Sequence, residues 1–310
     1  MEKKILVIGS ANMELYMNMY KLPEAGAETV DSGGIAYASG GRGVSAAIAF
    51  RRLGADSVFS AKLGADMHGQ TLYTFFKENG LNTSYIKVDR DFPTGFSAVI
   101  READGNERRI NYPGANAQIT QDNLISAFSS NPDGVYMSLE LPFDVVLSAS
   151  KLAAVRGIPI FIDAVMASKD QPLEMLPEIE IFSPNEEEML EYTGIMPLGA
   201  DSSLRAALAL WKRIRCKYLV IKQGERGAFV YDGKHFNMIS PYRPDKLVDT
   251  SGAGDAFTVA TCLEYLVSGD ILLAAKYGSA AGALAVSKRG GIASLPTEEE
   301  ISEFLQRRPE

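Results

Sequence analysis

The chain has 310 residues, 46% of them hydrophobic and 23% charged, enough for one large core or two smaller ones. A formal net charge of −8 argues against a nucleic-acid partner, which would call for a basic face. Two cysteines (Cys216 and Cys262) and two histidines (His68 and His235), all unclustered, exclude a disulfide framework and a metal knuckle, and no apolar run is long enough to span a membrane.

Lys4 to Gly9 is a short aliphatic run ended by glycine and reads as a buried strand. The polar exit from it, Ser10 to Glu14, lies where open α/β sheets place ligand groups, so Asn12 and Glu14 are candidate ligands. Turn chemistry and a solvated carboxylate are their rival readings. Pro23, Gly26, Gly33 and Gly34 break up residues 15–40, leaving strand-like pieces at Thr29-Val30 and Ile35 to Tyr37. This pattern predicts a β-rich flap rather than a crossover helix. Gly40-Gly41-Arg42-Gly43 then opens a helix over Val44 to Leu53, stopped by Gly54.

Ser57 to Leu63 reads as a strand and Gln70 to Asn79 as a helix closed by Gly80. Three strand-like runs follow without helices between them: Tyr85 to Val88, Thr94 to Arg101 and Arg108 to Tyr112. Asp104-Gly105 joins the last two as a hairpin signal. All three are expected to join the 15–40 insertion in one small sheet. Beyond Pro113 to Ala117 the pattern is regular. Helices 121–128, 144–156, 186–193 and 202–215 alternate with strands 134–139, 158–162, 179–183 and 218–222. A hairpin over Asp232-Gly233 and helices 256–267 and 271–286 complete it. Such alternation predicts a right-handed, mostly parallel α/β sheet covered on both faces. Asn12, Glu140, Asp163 and Asn185 fall at strand C-terminal ends, the edge that forms the ligand crevice.

The stretch Asp249 to Phe257 carries the chemistry. Its glycines run directly into a helix, leaving N–H groups unpaired at a dipole end that attracts anions. Asp255 beside such a site needs a reason: it is either an N-cap or a general base next to a phosphoryl cradle. On this stretch alone the two stand even. No GxxxxGK[ST], GxGxxG or GxSxG motif is present, which leaves hydroxyl activation by a carboxylate next to a phosphate cradle, with Mg²⁺ implied. Asn185-Glu186-Glu187-Glu188 offers hard oxygen donors for Mg²⁺, or simply an acidic helix start.

Taken together, these motifs resemble the ribokinase (PfkB) family of carbohydrate kinases over nearly the whole chain. Asp249-Thr250-Ser251-Gly252-Ala253-Gly254-Asp255 is similar to the family's DTxGAGD signature, Gly40 to Gly43 with Gly64 to Gly69 to its first signature, and Asn185 to Glu188 to its NxxE element. The resemblance implies one domain over residues 1–310, with a central mostly parallel sheet flanked by helices and a small β lid drawn from about 12–40 and 94–112. It implies ATP-dependent phosphorylation of a hydroxymethyl group, D-ribose being the first expectation. Fructose, 2-keto-3-deoxygluconate, a nucleoside, or a non-catalytic binding role are the alternatives. Asp255 would be the base, and the N–H groups of Gly252, Ala253, Gly254 and Asp255 the anion hole. Asn12, Glu14, Gly41, Arg42, Ser45 and Glu140 would border the sugar. Asn185, Lys222, Gly224, Gly227 and Gly254 would serve the nucleotide, whose adenine would lie near 276–283. Asn185 and Glu188 would organise Mg²⁺ through water, and Asp249, Ser251, Gly290 and Ser294 a K⁺ ion. Ribokinase normally has Asp at Glu14, Lys at Arg42, Asn at Ser45 and Asn at Asp163, where other members of the family carry Asp. These departures bear on the sugar. A cytoplasmic homodimer is expected.

Overall fold

A computed structural model describes residues 2–28, 33–104 and 106–308. The first strand, β1 (Lys4–Ile8), alternates its side chains between two cores. Ile5 and Val7 enter one, Leu6 and Ile8 the other, so the strand is apolar throughout. After three residues the chain forms β2 (Asn12–Met19) and, beyond the undescribed 29–32, β3 (Ile35–Gly40). Next come α1 (Arg42–Arg52), β4 (Asp56–Gly64), α2 (Met67–Glu78) and β5 (Asn82–Asp89), then β6 (Gly95–Glu102) and β7 (Glu107–Tyr112).

The remaining helices and strands largely alternate, with two strands in succession over 160–183 and two helices over 186–211. They are α3 (Gln121–Phe128), β8 (Gly134–Ser138), α4 (Phe143–Val155), β9 (Ile160–Asp163), β10 (Ile179–Ser183), α5 (Glu186–Thr193), α6 (Ala200–Trp211) and β11 (Cys216–Lys222). A hairpin, β12 (Ala228–Tyr231) and β13 (Phe236–Ile239), precedes α7 (Ala253–Ser268), α8 (Ile271–Ala285), α9 (Gly291–Ser294) and α10 (Glu298–Gln306).

The main sheet has nine strands in the order β13-β12-β11-β10-β9-β8-β1-β4-β5, parallel except for the β12–β13 hairpin edge. Residues of α1, α2, α7, α8 and α10 pack in one core, and those of α3 to α6 in the other. The covered parallel sheet expected from the alternation is therefore present. A second sheet, β3-β2-β6-β7, stands apart from it. β2 and β6 run parallel, with Asn12 opposite both Gly40 and Gly95.

Several boundaries differ from the sequence expectation. Tyr85 to Val88 does not join the small sheet. β5 pairs parallel with β4 at the edge of the main one, because α2 between them supplies the crossover. Residues beyond Ala11 do not form a loop, since Asn12 already begins β2. Helix α1 starts at Arg42 rather than Val44, α2 at Met67 behind its cap Asp66, and α7 at Ala253 rather than Ala256. Helix α10 fills a segment with no expectation attached to it, opened by a Thr297–Glu300 capping box. The strand-like Thr29-Val30 and Gly105 of the hairpin signal lie outside the described residues. Among the described residues, no helix is long and apolar enough to cross a membrane.

Candidate active site

The site lies at the C-terminal edge of the parallel strands, where α7 begins. Gly252 takes the N-cap position with φ 84°, a left-handed conformation that glycine adopts without strain. A Cβ there would come within 2.9 Å of the Gly291 carbonyl oxygen. At Gly254 a Cβ would meet nothing within 4 Å, so protein packing does not account for that glycine, whereas close approach of a ligand would.

Asp255 is the third residue of α7 and makes no capping bond, which removes the N-cap reading. Its carboxylate is buried at 5% exposure and accepts from Arg42 Nη1 at 2.8 Å through Oδ1. Asp255 is the main influence raising the Arg42 pKa, against the effect of burial, so the guanidinium stays charged. The Arg42 N–H donates to Ser10 Oγ at 3.1 Å, and the Ser10 hydroxyl donates to Glu140. The two glycine-rich helix starts thus meet, with Glu140 joined to them through Ser10. Close approach of Gly9 and Gly43 allows this: a Cβ on Gly43 would fall 2.6 Å from Gly9 Cα. Ser45 lies in the first turn of α1, its N–H bonded to the Gly41 carbonyl at 3.0 Å.

The four residues expected around K⁺ come together. Asp249 accepts from the Ser251 N–H at 2.9 Å and from the Gly290 N–H at 3.0 Å. These bonds, the Ser251 N–H first, outweigh burial and lower the Asp249 pKa. The Ser294 hydroxyl lies 3.2 Å from the Ser251 carbonyl and 2.8 Å from that of Gly291. The loop is an oxygen cluster of carbonyls and one hydroxyl, a donor set that suits a hard monovalent cation.

The small sheet turns its polar face to this cleft. Asn12 is buried at 3%, with its Oδ1 accepting from Asn116 Nδ2 at 2.7 Å and its Nδ2 3.4 Å from Ser97 Oγ. Ser97 in turn donates to Asn111 Oδ1 at 2.8 Å. Glu14 is held at both oxygens, by the Tyr16 hydroxyl at 2.5 Å and by Arg109 Nη1 at 2.7 Å. Burial first, and then the Glu14 carboxylate, push the Tyr16 pKa up to about 12, so it remains a donor. Gly40 on the neighbouring strand has no room for a side chain while Glu14 is held there, because a Cβ would fall 2.4 Å from Glu14 Cδ. Glu14 is therefore a fixed and doubly bonded carboxylate rather than a solvated one.

On the other side, Asn185 and Glu188 form a reciprocal capping box. Asn185 Oδ1 accepts the Glu188 N–H at 2.8 Å, and Glu188 Oε2 accepts the Asn185 N–H at 2.6 Å. Burial raises the Glu188 pKa. With this much of their capacity spent on the helix start, they suit Mg²⁺ through water rather than by direct ligation. Among the described residues no cluster of three His, Cys, Asp or Glu side chains forms a metal cage. The Lys222 ammonium, expected on the nucleotide side, is turned inward to Asp163 Oδ1 at 2.5 Å. Gly224 (φ 54°) has open space around it, whereas Gly227 is required by the hairpin, since a Cβ would fall 1.9 Å from the Ile239 carbonyl oxygen.

Sequence reasoning missed Ser10, Asn116, Tyr16 and Arg109. Tyr16 was within reach of the sequence, because a strand puts residues two apart on one face. Arg109 lies 95 residues from Glu14 and needed the register of the lid.

A glycine-rich helix start, an adjacent carboxylate bonded to Arg42 through one oxygen and a second, four-stranded sheet are parts that an enzyme transferring a phosphoryl group to a hydroxyl would use. A model of the pfkB family of carbohydrate kinases matches residues 2–298. The chain belongs to that family and is an ATP-dependent sugar kinase. It is 30% identical to the ribokinase of Staphylococcus aureus, covering 98% of this chain and 100% of that one. It is 33% identical to the bifunctional ribokinase/ribose-5-phosphate isomerase A of Fructilactobacillus sanfranciscensis over 96% of this chain, but spans only 55% of that longer protein. The ribokinase of Arabidopsis thaliana, solved in complex with ribose and ATP, superposes with a TM-score of 0.88 at 26% identity over 99% of both chains.

Proposed function

We propose that the enzyme phosphorylates the hydroxymethyl group of D-ribose, with Asp255 as general base. The observation that carries this reading is the Asp255 carboxylate, which sits in the first turn of the anion site without capping it and bonds Arg42 through one oxygen only. The remaining oxygen takes the hydroxymethyl proton. The sugar oxygen forms its bond to the γ-phosphorus while the bond to the β,γ-bridging oxygen breaks, and that electron pair leaves with ADP. The N–H groups of Gly252 to Asp255 stabilise the transferring phosphoryl.

Arg42 both orients the base and adds positive charge beside the phosphoryl. Asn12, Glu14, Gly41, Ser45 and Glu140 border the sugar. Gly224 borders the nucleotide, and Gly227 shapes the turn that carries it. Mg²⁺, held through water by Asn185 and Glu188, would neutralise phosphate charge. Asp249 would shape the loop in which the Ser251 carbonyl, the Gly290 segment and Ser294 hold K⁺.

We read the chain as one α/β unit with its lid inserted. Ile35, Tyr37, Ile110 and Tyr112 stand exposed on the outer face of the lid, which supports cover by a second copy in a cytoplasmic homodimer. Light scattering on the purified chain measures that directly.

A coupled ADP-release assay tests the reaction. Ribose should drive turnover, and Asp255→Asn should lower kcat by about 10²- to 10⁴-fold. Turnover with fructose, 2-keto-3-deoxygluconate or a nucleoside but not ribose would replace the substrate and keep the mechanism. Turnover indifferent to Asp255→Asn would sink the mechanism.

A further inference from the structure

The Lys222 side chain is nearly closed off from solvent, yet no step described above uses its charge. Its Nζ donates to Asp163 Oδ1 at 2.5 Å and to Thr258 Oγ1 at 3.2 Å. Asp163 is 1% exposed, and the buried Tyr136 hydroxyl lies 3.4 Å from its other oxygen. Thr258 follows Asp255 by three residues on α7, so the two share a helix face. The Thr258 hydroxyl also lies 3.3 Å from Ser183 Oγ at the end of β10. The Lys222 backbone donates to the Pro184 carbonyl at 2.8 Å and bridges to Asn185. One residue therefore ties β9, β11, the Asn185–Glu188 cap and the first turns of α7 together.

The charges around it point the same way. Burial alone would lower the Lys222 pKa, but Asp163, then Glu188, with Asp255 adding to them, raise it. Asp163, Glu188 and Asp255 therefore all act on the Lys222 ammonium, and the Arg42 guanidinium acts on the same group of carboxylates. A buried Lys–Asp pair contributes little to stability in itself, and apolar replacement of both partners is often neutral. Folding thus gives no sufficient reason for the pair, whereas its place under the anion turn does.

We infer that Lys222 is a positioning residue for phosphoryl transfer: through Thr258 it sets the seat of the α7 first turns on the sheet, and its charge offsets the three carboxylates, with Asp163 as its counter-ion. The inference rests on the kinase reading.

The test compares wild type, Lys222→Met and Lys222→Met/Asp163→Asn by melting temperature and by steady-state kinetics in ribose and in ATP. The single variant leaves the buried Asp163 carboxylate without its ion-pair partner and should lose both stability and activity. The double variant should regain the wild-type melting temperature while kcat stays down on the order of 10²-fold, with KM for the sugar within about twofold. If the double variant regains kcat along with stability, Lys222 is only structural and the inference falls. If it fails to regain stability, Lys222→Arg decides. An arginine keeps the charge, so wild-type folding with kcat recovered at least tenfold over the Met variant supports the inference, and no recovery overturns it. Wild type without sugar-dependent ADP release would instead overturn the kinase reading itself, and this inference with it.

Discussion

The anion turn and the lid are both glycine-punctuated and both face the cleft, yet they are held in different ways. The turn is fixed by packing. Helices α7 and α8 approach so closely that a Cβ on Gly278 would fall 2.1 Å from Thr261 Oγ1, and most of α7 is buried. The lid is four strands wide, and its strand β7 is exposed along its whole length. Its order on the cleft side comes from side-chain bonds: Asn12 to Asn116, Glu14 to Tyr16 and Arg109, and the Arg101 guanidinium 4.7 Å over the Tyr16 ring. A packed turn holds reacting atoms to a fraction of an ångström, as phosphoryl transfer demands. A sheet held by polar contacts can exchange one contact for another. On the function proposed above, the reaction would reside in the first region and the choice of substrate in the second.

The largest effect expected from breaking that division falls on Arg42, which belongs to neither region alone. It starts α1 directly after β3 and Gly41 and bonds Asp255 in the turn. Arg42→Ala should lower kcat by about 10²- to 10³-fold, the scale for losing a fixed cationic donor at a developing charge. Arg42→Lys should recover part of this, because it restores the charge without the planar fork. A pure substrate-binding role would appear instead as a raised sugar KM with kcat intact.

The division was partly legible in the sequence. The parallel sheet, its strand-end polar residues and the hairpin at 228–239 follow from periodicity and glycine placement, which are local signals. Whether Asp255 caps the helix did not follow, because capping and catalysis call for the same residue type at a helix start. The observed helix boundary at Ala253, three residues earlier than periodicity suggested, removes the capping reading. Apolar spacing could not place it, since Ala253 and Gly254 carry no periodic signal. The two sheets were also misassigned at Tyr85 to Val88. Nothing local marks β5 as a main-sheet strand, because its membership depends on the α2 crossover. The Glu14 partner Arg109 was invisible for the same reason of distance.

A smaller effect is expected in the lid. Arg109→Gln removes the charged donor to Glu14 while Tyr16 keeps its own bond, so Glu14 loses part of its anchoring. Loss of one charge-assisted bond should raise the sugar KM by about tenfold, with kcat within about twofold and the ATP KM unchanged. Tyr16→Phe should act in the same direction and less strongly. A fall in kcat equal to the fall in kcat/KM would place Arg109 with the reaction and blur the division drawn above.

The smallest effect concerns the seam between the regions. Asp66 caps α2 by accepting the Gly69 N–H at 2.8 Å, and it also accepts the Thr94 N–H at 2.8 Å and the Thr94 hydroxyl at 2.6 Å, just before β6 enters the lid. Burial works to raise its pKa, but the Thr94 bonds, then the Gly69 bond, outweigh it and the pKa is lowered. A carboxyl whose folded pKa lies below its unfolded one stabilises the fold fully above the unfolded value, and the gain is lost as pH falls through the folded value. Wild type should therefore lose stability as pH drops below the ordinary aspartate range. Asp66→Asn should lose less over the same interval and be less stable by about 1–3 kcal/mol at neutral pH, because its amide nitrogen cannot accept the Thr94 N–H that Oδ2 now accepts. Urea melts of both proteins at neutral pH and in that acid range measure the difference. Equal slopes with pH would mean that the bonds of Asp66 to Thr94 and Gly69 do not favour its ionised form, and the seam would then be held by apolar packing instead.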